Sequence, residues 1–124
     1  MCIRDSTWPE RLPTGLAPLA LDRPLDLHFE PPNLERFPCL RLAADALTVG
    51  GDAPAVLNAA NEVAVGAFLD RRISLSGIPT VVGETLSAHS VAEPKNLEGV
   101  ARADAWARSY ACELVADQAV AAVN

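Results

Sequence analysis

Asn58, Asn61 and Glu62 are the residues of this chain whose types and spacing best suit chemistry. Within LNAANEVAV, residues 57–65, they stand at i, i+3 and i+4. On a helix that spacing sets two amides and a carboxylate on one stripe. Such a stripe could orient a ligand through hydrogen bonds. It could equally satisfy unpaired backbone groups of a neighbouring loop or helix end, because a buried polar group left unpaired costs about 1–3 kcal/mol. One carboxylate without a second titratable partner is poor equipment for acid–base work. The trio is therefore expected to be a structural polar cluster.

The remaining candidates are thinner. No GxGxxG follows a strand pattern and no GxxxxGK[ST] exists, and Gly50-Gly51 follows a helical pattern, so it reads as a stop signal. His28 and His89 stand alone, without the HExxH spacing that would gather a zinc ion. GxSxG is absent. A helix dipole could lower the Cys39 thiol pKa, and burial would raise it. Cys2, Cys39 and Cys112 are odd in number and lack CxxC, which argues against a disulfide framework or a zinc site. Cys39 and Cys112 are expected to be small core residues in a reduced, cytoplasmic protein. A small acidic enzyme pairing Glu62 with His89 is the weakest of the catalytic readings.

The elements that would position these side chains follow from composition and period. The chain has 124 residues, 50% apolar and 21% charged, enough for one globular domain. A net charge of −6 disfavours nucleic acid and anionic membrane surfaces, which need a cationic face. No apolar run reaches the ~20 residues of a membrane span, and no signal-peptide pattern is present.

Seven of the ten prolines (Pro9, Pro13, Pro18, Pro24, Pro31, Pro32 and Pro38) fall within residues 7–38 and exclude a long helix there. In LDLHF, Leu25, Leu27 and Phe29 alternate with Asp26 and His28, predicting one short strand in an extended arm. Helical period then begins. Helices are predicted at 38–49 with Leu40, Ala43, Ala44 and Leu47 inward, and at 53–71, capped by Asp52, with Val56, Ala60, Val63, Ala64, Ala67 and Phe68 inward. A third covers 77–89, capped by Ser76, with Ile78, Val81, Val82 and Leu86 as core contacts. A short turn is predicted at 96–100, capped by Asn96. The last helix, 105–122, is capped by Asp104 and anchored by Trp106, Tyr110, Leu114 and Val115. The fold class is mainly α: a bundle of about four helices preceded by an extended Pro-rich arm with one short strand.

WPERL, FEPPNLERFPCLRLAADAL, LNAANEVAVGAFLDRRISLSGIP and ADAWAR occur in this order. The chain thereby resembles the C-terminal part of bacterial 1-deoxy-D-xylulose 5-phosphate reductoisomerases over about residues 8–118. The resemblance implies an NADPH-dependent enzyme, assisted by Mg²⁺ or Mn²⁺, that converts this substrate to 2-C-methyl-D-erythritol 4-phosphate in non-mevalonate isoprenoid synthesis. It also implies a cytoplasmic homodimer. The family's nucleotide-binding glycines, acidic metal ligands and substrate-binding residues all precede the WPER position. No catalytic, cofactor-binding or metal-ligating residue is therefore expected here, and the partners of this piece are the N-terminal and catalytic domains of the same enzyme. Residues 8–36 correspond to the end of the catalytic domain and the linker, and 37–124 to the helical domain. MCIRDS at the start reverse-translates to a transposase-library end sequence, so residues 1–7 are expected to be an adapter remnant. A free-standing helical interaction module without catalysis is the alternative.

Overall fold

The computed structural model describes residues 8–10, 15, 22, 24 and 26–121, with backbone alone at 119–121. The expected adapter remnant at 1–7, residues 11–14, 16–21, 23 and 25 of the Pro-rich arm, and the last expected helical residue, Ala122, lie outside the described residues. The chain divides into two units, Met1–Pro31 and Pro32–Asn124.

In the first unit the described residues form neither helix nor strand. The strand expected over LDLHF does not form across residues 26–29, while Leu25 lies outside the described residues. Leu27 and Phe29 are exposed. A strand needs a partner for its backbone N–H and C=O groups, and the alternation of side chains cannot supply one. His28 and Glu30 form an exposed contact at 3.3 Å.

The second unit holds four helices: α1 (Pro38–Val49), α2 (Ala53–Leu69), α3 (Gly77–Ala88) and α4 (Leu97–Ala121). A turn leads into α1, with the Asn33 side chain accepting from the backbone N–H groups of Glu35 and Arg36 at 3.0 and 2.9 Å. Pro38 then opens α1, where its missing N–H leaves no gap in the helix ladder. Gly50 and Gly51, at φ +75° and +57°, end the helix in the left-handed region.

α2 is the central helix, packed against α1, α3 and α4. Val56, Ala60, Ala64 and Ala67 are buried as predicted, joined by Ala59. Ala103, Ala107 and Ala111 are the facing stripe of α4. Alanine on both sides lets the two helices approach closely at no cost in side-chain entropy. Val81 and Val82 of α3 and Val115 of α4 fill the other end of the core. Thr85 is fully buried, and its hydroxyl donates to the Val81 carbonyl at 2.7 Å, so it brings no unpaired polar atom inside.

Three expectations are corrected. In α1, Ala46 is the buried residue and Cys39 and Leu42 are half-buried, while Leu40, Ala43, Ala44 and Leu47 point outward. Both sets have helical spacing, and contact with α2 and α3 selects the first. The break expected near Asp104 is absent, and α4 runs continuously from Leu97. Asn96 caps it by accepting from Gly99 N–H at 3.0 Å, whereas Asp104 is an interior residue whose carboxylate turns to Arg108. Cys112 is exposed rather than buried.

α2 closes in a Schellman arrangement: Arg72 N–H bonds to the Ala67 carbonyl at 2.8 Å and Arg71 N–H to that of Phe68 at 2.9 Å. Arg71 holds the left-handed position usually given to glycine, at φ +60°.

Candidate functional site

Two polar constellations stand out in the helical unit. The first contains the predicted trio. Asn58 Nδ2 donates to Glu62 Oε1 at 3.2 Å, one helical turn along α2. The other Glu62 oxygen accepts from an Arg108 terminal nitrogen on α4 at 2.7 Å. Arg108 also forks onto Asp104, with Nε at 2.7 Å and the terminal nitrogen at 3.1 Å. Hydrogen bonds from Arg108 are the main reason both the Glu62 and Asp104 carboxyls titrate below their ordinary range, and both carboxylates drive the Arg108 pKa upward. Asn61 is half-buried and is not among the hydrogen-bond partners in this network. Structure thus brings Asn58 and Glu62 together and adds Asp104 and Arg108. The Asp104–Arg108 pair at i, i+4 was a readable signal; the cross-helix bond to Glu62 was not.

The second constellation was missed. Asp52 sits at the N-cap position of α2, but its side chain caps no α2 N–H. It turns instead into the connection between α3 and α4. Oδ1 accepts from Ala92 N–H at 3.0 Å and from His89 Nε2 at 2.9 Å, while Asp52 N–H donates to the Ala92 carbonyl at 3.0 Å. Burial pushes the Asp52 carboxyl up, but the bonds from Ala92 and His89 outweigh it, so the group titrates below its ordinary value. A carboxylate only accepts, so His89 must carry a proton on Nε2. The His89 ring lies against Trp106 at 4.8 Å between centroids, and Trp106 stacks on Tyr110 at 5.4 Å. No local spacing announces a pair 37 residues apart.

An open cleft of about 490 Å³ lies beside this pair, lined among others by Lys95, Asn96, Arg102 and Trp106. An acid–histidine pair activates a nucleophile only when a hydroxyl or thiol stands next to it. The cleft lining contains no Ser, Thr, Cys or Tyr. His89 is engaged by Asp52 and Glu62 by Arg108, so the two do not form the acid–base pair considered above. Burial raises the Cys39 thiol, which works against a reactive thiolate.

Among the described residues, no group of three or more His, Cys, Asp or Glu side chains is placed to hold a metal ion. The one glycine pair, Gly50-Gly51, joins two helices and does not lead from a strand into a phosphate-binding helix. No helix among the described residues is long and apolar enough to cross a membrane.

The family model described as DXP reductoisomerase C-terminal domain matches residues 6–110. The chain belongs to that family. It is 51% identical over 108 residues to the 1-deoxy-D-xylulose 5-phosphate reductoisomerase of Chlorobaculum tepidum, covering 87% of this chain and 28% of that protein. For the Cellvibrio japonicus reductoisomerase the identity is 49% over 109 residues, covering 88% and 27%. Among solved structures, the Zymomonas mobilis reductoisomerase in complex with NADPH superposes with a TM-score of 0.74 at 42% identity, over 87% of this chain and 29% of that one. The chain thus spans less than a third of the length of these relatives, and its helices are those of the family's C-terminal domain.

Proposed function

We propose that this chain is the helical scaffold of a 1-deoxy-D-xylulose 5-phosphate reductoisomerase. The parent is a cytoplasmic homodimer that uses NADPH and Mg²⁺ or Mn²⁺ to form 2-C-methyl-D-erythritol 4-phosphate. The carrying observation is close similarity confined to under a third of each relative's length. The side chains support the same reading. Asn58, Glu62, Asp104 and Arg108 bond to one another, and Asp52 bonds to His89 and to the Ala92 N–H. Asn58, Asn61 and Glu62 act as structure in this reading, and neither hydride transfer nor metal-assisted rearrangement is assigned to any residue of the chain. Its contribution to rate is positional, since small displacements of reacting groups are expensive.

The test is a chimera in which residues 32–118 replace the matching part of the Zymomonas mobilis enzyme. Substrate-dependent oxidation of NADPH in the presence of Mn²⁺ is the expected result. A folded chimera that binds NADPH but turns nothing over would refute the reading.

A further inference from the structure

The chain enters α1 through PPNLERFP, residues 31–38. Proline fixes φ at Pro31, Pro32 and Pro38 and restricts the residue before each. Between them, Asn33 takes up three consecutive backbone N–H groups. Its side-chain oxygen accepts from Glu35 and Arg36 at 3.0 and 2.9 Å, and its carbonyl accepts from Phe37 at 2.9 Å. The Phe37 carbonyl accepts in turn from Leu40 N–H at 3.1 Å, inside α1. Turn and helix are thus one continuous run of bonds. None of this order comes from the core, since residues 31–37 are all exposed.

An exposed backbone can satisfy its N–H groups with water, and boundaries between compact units are commonly loose and polar. This segment starts at such a boundary, between Pro31 and Pro32, and is stiff. A surface turn adds little to global stability, so what it secures is direction. We infer that Asn33 is a positioning residue of the parent reaction: its turn fixes the direction in which the chain enters α1, so that this point cannot act as a free pivot. This rests on the function proposed above, in which the contribution of the helical unit to rate is positional. Loosening the turn leaves the upstream reacting groups less precisely held, and small displacements of such groups are costly in rate.

The experiment is Asn33→Ala, with Asn33→Asp as the conservative variant. A carboxylate can accept the same two N–H bonds, and a methyl group cannot. In the 124-residue chain, the Glu35 and Arg36 amides should exchange hydrogen about tenfold faster in Asn33→Ala than in wild type or Asn33→Asp, while the urea midpoint moves little. In the chimera, Asn33→Ala should lower kcat on the order of tenfold per folded molecule, with the KM for NADPH unchanged, and Asn33→Asp should restore it. Alanine at the aligned position of the Zymomonas mobilis enzyme should lower kcat likewise, a readout that decides the role of the turn even if an inactive wild-type chimera refutes the proposed function. Full kcat for Asn33→Ala in an active chimera, or for alanine in that enzyme, would overturn the positioning inference and leave the proposed function standing. A loss that follows the urea midpoint and is not restored by Asn33→Asp would likewise overturn it and reduce Asn33 to a structural residue.

Discussion

His89 Nε2 lies 2.9 Å from Asp52 Oδ1, binding the end of α3 to the start of α2 across a buried contact. The same oxygen holds Ala92 N–H, so one carboxylate fixes the α3–α4 connection at two points. Asp52→Ala should leave both donors without a partner and destabilise the chain by about 2–4 kcal/mol. Urea unfolding at neutral pH measures this, and Asp52→Asn, which keeps one acceptor oxygen, should cost less.

The same contact sets an acid limb. Because the folded Asp52 carboxyl titrates below its ordinary value, its contribution is present above the unfolded pKa and is lost as pH falls through the folded one. Wild-type stability should therefore drop between about pH 5 and about pH 2, with Glu62 and Asp104 adding in the same direction. Asp52→Asn should show a shallower decline over that window. Equal slopes for the two proteins in thermal melts would contradict the assignment.

The Glu62–Arg108 bond joins α2 to α4, but it is open to water. Arg108→Ala should lower the melting midpoint more than Glu62→Gln, since Arg108 serves two carboxylates. Both effects should be smaller than that of Asp52→Ala and should shrink as salt rises toward about 1 M, where screening acts within ~3 Å. Asn61→Ala should leave the midpoint where it is.

Three glycines separate conformation from space. A Cβ at Gly51 would meet the Ala92 carbonyl oxygen at 2.7 Å in a left-handed backbone, whereas Gly50 has the same sign of φ and open surroundings. Gly50→Ala should therefore cost about 1–2 kcal/mol for conformation alone, and Gly51→Ala distinctly more. Gly66 lies within α2 with nothing near its Cβ position. Gly66→Ala should stabilise by about 0.5–1 kcal/mol. Chemical denaturation of the three variants gives the ranking.

Arg71 occupies the left-handed position that closes α2. Arg71→Gly should relieve that conformation and stabilise by up to about 1 kcal/mol, after the greater freedom of glycine in the unfolded chain is subtracted. A loss of stability would mean that the Arg71 side chain makes a contribution larger than the strain.

Local chemistry was legible where the signal lies within one turn of chain. Pro38 and Gly50-Gly51 mark the ends of α1, and the alanines of α2 announce a helix covered on several sides. Asp104 misled because an acidic residue before an apolar run resembles an N-cap, yet in α4 its carboxylate serves Arg108. The inward side of α1 was unreadable for a different reason: two apolar sets share one period, and only the neighbouring helices select between them. Asp52 and His89 meet through tertiary packing alone, so neither the cleft beside them nor the latch on Ala92 could be derived from spacing. The open side of α1 is the residue of that ambiguity, for the sequence pattern that pointed inward describes a face the four helices leave uncovered.

We propose that this chain supports a reductoisomerase without performing its chemistry. The most direct measurement of this is NADPH oxidation by the purified 124-residue chain supplied with 1-deoxy-D-xylulose 5-phosphate and Mn²⁺. The account predicts a rate indistinguishable from the protein-free control. Substrate-dependent turnover that persists through purification and disappears with Glu62→Gln or His89→Ala would contradict it.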